Sequence, residues 1–190
     1  MAAAAVVSVA LWFGLYFLSP VLPEMADPVA RLGFAIKCCC VAILLCFLTG
    51  IEAVSHERLQ SEAFDPLTGH ESFGMRINLR YLQNTLEQLV LFAPGLLALA
   101  IYCDDGRSMR AVVATTGVWI LSRAAFWIGY HQGSLYRVVG LTGMIQSMIV
   151  LFYVCGRFGY EFAGLLGAIA PVTIFAVIEI VLVVKTRGMS

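Results

Sequence analysis

Long apolar blocks alternate along this chain with short polar clusters. An uncharged stretch runs from Ala2 to Leu22, and a second block from about Leu32 to Val54 carries only Lys37 and Glu52 as charges, each near an end. Further blocks cover about Met75 to Tyr102, Met109 to Tyr130, Leu135 to Val154 and Tyr160 to Val184. A block of about 20 apolar residues wound as a helix spans the roughly 30 Å hydrocarbon layer and satisfies its own backbone hydrogen bonds. The pattern therefore predicts six transmembrane helices and an all-α integral membrane protein.

The separators have turn chemistry. Pro20, Pro23, Glu24, Asp27 and Pro28 form a loop, Ser55 to Gly74 is the only substantial polar connector, and an Asp-Asp-Gly signal lies within Cys103 to Ser108. Gly-bearing turns are expected at His131 to Ser134 and at Gly156 to Gly159. Pro94 falls inside the third block, where it should kink the helix. The first block has no Lys or Arg ahead of its apolar stretch, so it lacks the basic leader of a signal peptide and reads as a retained helix.

Composition sharpens this picture. Of 190 residues, 61% are hydrophobic and 13% charged, against about half and about a quarter in a soluble domain. A formal net charge of +0 and the lack of any Lys or Arg run exclude nucleic acid as a partner. Cys38, Cys39, Cys40 and Cys46 share one apolar block, and no Cys-x-x-Cys pair or suitably spaced His accompanies them, so neither a disulfide nor a metal site is expected. Arg58, Arg76, Arg80, Arg137, Lys185 and Arg187 flank one side of the membrane, against Arg31, Lys37, Arg107, Arg110 and Arg157 on the other. That small excess places the connector and both termini in the cytoplasm.

Polar side chains inside spans cost roughly 2.5 to 3.5 kcal/mol each on insertion scales, so they mark a bundle interior or a wet cavity. On the third helix Arg76, Arg80, Asn84 and Glu87 fall at i, i+4, i+8 and i+11 and share one stripe. On the fourth, Arg123, Trp127 and Tyr130 share a face with Phe126 beside them, and Arg137 opens the fifth. Alternate loops lie on one side of a bundle, so the two groups can line one pocket. An interhelical pair for Asn84 and Glu87, and interfacial anchoring for Arg76 and Arg137, are the structural alternatives. On the pocket reading, the guanidinium groups suit carboxylates and Glu87 suits an ammonium, as in a small zwitterion. Glu87 is expected to be buried against an arginine of the third or fourth helix.

The segment Arg80-Tyr-Leu-Gln-Asn84-Thr-Leu-Glu87, with Pro94 downstream, resembles the R-x-x-x-N-x-x-E signature of the MAPEG family, the membrane-associated proteins of eicosanoid and glutathione metabolism. Arg123-Ala-Ala-Phe-Trp-Ile-Gly-Tyr130, with Arg137 and Gly140 after it, resembles the family's R-x6-Y element and following arginine. The resemblance implies a four-helix core over 32–158, flanked by an extra helix and loop in 1–31 and an extra helix in 159–190. It further implies a homotrimer that binds glutathione between subunits near the cytosolic face. By the same resemblance Arg76, Arg80, Asn84, Glu87, Arg123 and Tyr130 belong to the glutathione-binding group, and Arg137 stabilises its thiolate. Gln83 stands where some members carry a second basic residue, and Phe126 where others carry Tyr or His.

Two functions from different classes follow. The first is a glutathione-dependent membrane transferase or peroxidase acting on apolar electrophiles or lipid hydroperoxides. The second is a non-catalytic family member that binds lipid or a partner membrane protein. A small transporter is disfavoured, because the chain shows no internal repeat and no matching pair of broken helices.

Overall fold

The computed structural model describes residues 2–61, 64–65, 69–133 and 140–187, and these are helical apart from short loops. Helix α1 spans Ala2–Leu18. It stops short of Leu22 because Pro20 and Pro23 cannot continue a helical ladder and disfavour helical geometry in the residues before them. Helix α2 spans Pro28–Leu59, longer at both ends than its apolar block. Asp27 caps its start by accepting from the amides of Val29 and Ala30, and Pro28 occupies the first turn, where its missing N–H is not needed. At the far end the helix runs through Ser55, His56, Glu57 and Arg58 before stopping at Leu59. Inside α2, Ile43–Leu48 form a π-helical segment, flanked by Thr49, whose hydroxyl donates to the carbonyls of Leu44 and Leu45.

Helix α3 spans Phe73–Ile101, capped by Ser72, whose hydroxyl accepts from the Met75 amide at 2.9 Å. It is continuous through Pro94. Helix α4 spans Arg110–Gln132, two residues beyond the expected Tyr130 end. Helix α5 is traced over Leu141–Arg187 but is broken at Ala163 and Gly164. Among the described residues four helices are long and apolar enough to cross a membrane, and the 46 residues of Thr142–Arg187 exceed what one crossing needs.

Residues Met1–Met148 form one compact unit. Within it α1 lies on α4, where Trp12 Nε1 donates to Thr115 Oγ1 at 3.0 Å and Leu15 lies over Gly117. Ser8 Oγ donates to the Thr142 carbonyl at 3.2 Å. At one end of the unit the buried Arg31 guanidinium donates to the carbonyls of Met25, Ala26 and Asp104, joining the loop before α2 to the loop after α3. Gly106 is obligatory in that joint, because a Cβ there would fall 1.7 Å from the Leu22 carbonyl oxygen. The core between α3 and α4 is aromatic. Phe92 stacks on Trp119 at 4.6 Å, and Tyr81 on Trp127 at 5.1 Å, between ring centroids.

Residues Ile149–Ser190 form the second unit, a helical hairpin. The chain reverses at Ala163 and Gly164, the latter at φ +61, a conformation that favours glycine. The reversal thus falls beyond the Gly156 to Gly159 segment where a turn was expected. Those glycines are helical, and they let the two limbs touch backbone to backbone: a Cβ on Gly159 would lie 2.1 Å from the Gly167 carbonyl oxygen. Farther from the turn Phe152 meets Phe175 edge to face at 5.2 Å. The outer surfaces of both limbs are apolar and exposed, as lipid contact requires.

Candidate functional site

The rotation of α3 sets the site. Tyr81, 1% exposed, stacks on Trp127 and donates from its hydroxyl to the Cys46 carbonyl at 3.0 Å, within the π segment of α2. Leu82 packs with the Val54 and Met75 cluster. With that face buried, the Arg80, Asn84 and Glu87 side turns outward, as the stripe predicts. Together with Gln83 and with Phe126 and Tyr130 of α4, these three line a cleft of about 220 Å³.

Arg123 lies behind the cleft, 1% exposed. Its guanidinium donates to Asn84 Oδ1 at 2.6 Å and to the Gly140 carbonyl at 2.6 Å, and sits 5.0 Å above the Phe126 ring. With Asn84 Oδ1 taken by Arg123, the amide NH2 of Asn84 is the group left to donate elsewhere. Arg123 therefore acts on the cleft through Asn84. Gly140 makes this arrangement possible, because any Cβ there would meet Phe126 Cβ at 2.2 Å.

Glu87 departs from expectation. Its carboxylate is exposed and accepts from Gln83 Nε2 at 3.2 Å, while Gln83 Oε1 accepts from Arg80 Nη1 at 3.2 Å. Gln83, a neutral departure from the family pattern, thus links Arg80 to Glu87 along one helix face. The carboxylate needs no buried arginine because the cleft opens to the outside. Arg76 is placed apart from the group, in a second cleft of about 230 Å³ that it lines with Glu71, Leu79, Arg80 and Gln83. Arg137 lies outside the described residues.

A second polar cluster braces the same end of the bundle. Asn78, 7% exposed, donates from Nδ2 to Glu57 Oε2 at 3.0 Å and accepts at Oδ1 from Trp127 Nε1 at 2.9 Å, with His131 Nε2 3.0 Å from the same oxygen. Glu57 also accepts from Ser72 Oγ. This cluster ties the end of α2 to the start of α3 and the end of α4, beside Tyr130. Sequence reading missed it, because Asn78 lies off the α3 stripe and Glu57 falls within the polar connector. Their one shared signal is that each lies within a few residues of an expected helix end.

Residues 32–159, which include every residue lining the first cleft, match the sequence model of the MAPEG family. The chain belongs to the MAPEG family. The match leaves α1 and the second limb of the C-terminal hairpin outside the MAPEG segment. An uncharacterized protein of Synechocystis sp. is 40% identical over 85 residues, 44% of this MAPEG chain and 58% of the relative. The chain thus spans less than two thirds of that relative's length. No solved structure matches it.

Proposed function

We propose that this MAPEG protein is a glutathione-dependent membrane transferase or peroxidase acting on apolar electrophiles or lipid hydroperoxides. One observation carries the reading: Arg80, Asn84 and Glu87 of α3 and Tyr130 of α4, all parts of the two family motifs, line a single cleft. The donor set fits the tripeptide. Arg80 and the Asn84 amide offer N–H groups to carboxylates, and Glu87 offers an acceptor to an ammonium. Bound there, glutathione supplies a thiol whose thiolate form is the nucleophile. Arg137 is assigned the role of holding that negative charge, and Arg123 that of fixing the Asn84 amide. Arg80 and Glu87 are exposed in the single chain, which is consistent with a neighbouring copy supplying the outer wall in a homotrimer. The site is proposed to face the cytoplasm.

The test is titration of glutathione into purified protein in detergent, read by thiolate absorbance, followed by turnover of a generic electrophile. Absence of binding at millimolar glutathione refutes the reading. Arg137→Ala is expected to lower turnover by about 10²- to 10³-fold, the usual effect of losing one preorganised charge-stabilising donor, with a much smaller change in glutathione affinity. The non-catalytic reading has one observation in its favour: Gln83 already joins Arg80 to Glu87, so the cleft partly satisfies itself. Ligand binding without turnover of any electrophile would select it.

A further inference from the structure

Arg123 marks where three helices meet. It bonds Asn84 of α3 and the Gly140 carbonyl just ahead of α5, and its Nε lies 3.9 Å from where a Cβ on Gly143 would stand. Helical spacing places a further polar layer one turn deeper. Gln88 is four residues beyond Asn84 on α3, Trp119 four residues before Arg123 on α4, and Gln146 three residues beyond Gly143 on α5. The contacts show that these turns run in one direction: Phe126 meets Gly140 and Ser122 meets Gly143, while Arg123 meets Asn84 and Trp119 stacks on Phe92. Gln88, Trp119 and Gln146 therefore share a depth within about 6 Å of Arg123 along the bundle. All three are buried, at 6%, 0% and 4% exposed. Gln88 Oε1, Trp119 Nε1, both amide atoms of Gln146 and Arg123 Nε have no hydrogen-bond partner among the described residues. Apolar surroundings make such atoms costly, and native proteins satisfy nearly all of them, with a protein group or with ordered water. Here N–H donors on three residues accompany amide carbonyls on two. That mixture suits water, which donates and accepts at once. A halide would satisfy the donors and leave both carbonyls stranded.

We propose that this layer is a site for ordered water, bridging Trp119 and Arg123 of α4 to Gln88 of α3 and Gln146 of α5 inside the membrane. Water there supplies the third nitrogen of the Arg123 guanidinium, whose other two are held by Asn84 and the Gly140 carbonyl. It lies in the bundle interior, away from the exposed face of α3, and serves a catalytic or a non-catalytic protein alike.

Hydroxyl-radical labelling by a brief X-ray pulse, on the purified protein in nanodiscs and in water enriched in heavy oxygen, tests it, because a buried side chain is oxidised only beside water. Trp119 should take up heavy oxygen although it is wholly buried, as half-buried Trp127 does. Gln146→Leu, close in size, should remove most of the Trp119 label. It should also raise the unfolding equilibrium constant about tenfold, the effect of losing one or two bridging hydrogen bonds. An unlabelled Trp119 overturns the proposal, and the unaltered protein decides this alone where the variant does not fold. Label that Gln146→Leu leaves unchanged also overturns it, as does stabilisation by that variant, the result of removing an amide from a dry core. An unfolding temperature that rises when chloride replaces gluconate, in the unaltered protein but not in Gln146→Leu, assigns the layer to a halide and overturns water as the ligand.

Discussion

Replacing Arg123 by leucine removes two hydrogen bonds of 2.6 Å, to Asn84 Oδ1 and to the Gly140 carbonyl, and the cation over the Phe126 ring. Interhelical hydrogen bonds in membranes contribute about 0.6–2 kcal/mol each, and a charged donor belongs near the top of that range. Leucine also relieves the cost of burying a guanidinium, which offsets part of the loss. A net destabilisation of about 2–4 kcal/mol follows, most of it from the stranded Gly140 carbonyl, because Asn84 borders the cleft and can find water. Reversible unfolding in mixed micelles gives the number, and a cycle of Arg123→Leu with Asn84→Ala isolates the pair. A coupling of about 1–2 kcal/mol is expected. Arg123→Lys, which can reach one acceptor but not both, should lose about half as much as leucine. Additivity of the two single variants within about 0.5 kcal/mol would refute the claim that Arg123 holds Asn84.

Tyr81→Phe should cost about 1 kcal/mol by losing its bond to the Cys46 carbonyl, with glutathione affinity unchanged in the folded protein; an affinity loss larger than the stability loss would place Tyr81 in the site. Gly143→Ala should destabilise by about 1–3 kcal/mol, since its Cβ would lie 2.1 Å from Ser122 Oγ, and adding Ser122→Ala should recover part of that in the same unfolding assay. The Asp105 carboxyl in the α3–α4 loop is held below the usual carboxylate range by the Ser108 amide and hydroxyl. Its depressed value means that the turn is fully stabilised above the ordinary carboxylate range and loosens as pH falls through the lowered value. The protection factor of the Ser108 amide, corrected for the intrinsic pH dependence of exchange, should fall over that acid window and stay flat above it.

Much of this arrangement is legible in the sequence, because hydrophobic blocks and a 3.6-residue period report what a single helix does. The stripe of Arg80, Asn84 and Glu87 follows from spacing, and alternate-loop topology allows Tyr130 to share its cleft, without choosing between a pocket and an interhelical pair. Periodicity does not report which partner a polar atom finds. Glu87 therefore looked like a buried charge in need of an arginine, although Gln83, one turn away on the same helix, meets it at an open surface. The Glu57, Asn78, Trp127 and His131 cluster depends on three helices meeting at their ends, which no local pattern encodes. Gly156 and Gly159 misled for a related reason. Glycine marks both turns and close helix contacts, and here it serves the second while Ala163 and Gly164 make the reversal.

The π segment of α2 has a consequence for how this chain tolerates insertion and deletion. The buried positions of α2 are Arg31, Ala35, Cys39, Ala42, Cys46, Gly50 and Val54. Six steps along an ideal α-helix consume between about 21 and 22 residues, whereas this stripe consumes about one more. A turn closed from i to i+5 absorbs one extra residue, so Ile43–Leu48 keeps both halves of α2 in phase with the same neighbours. Loss of one residue within that segment therefore converts π to α with little change in either buried face. The same loss anywhere else in α2 rotates one half of the helix by about 100° against the other, turning Gly50 and Val54 away from α3. Gaps in alignments of this helix should accordingly fall within residues 43–48.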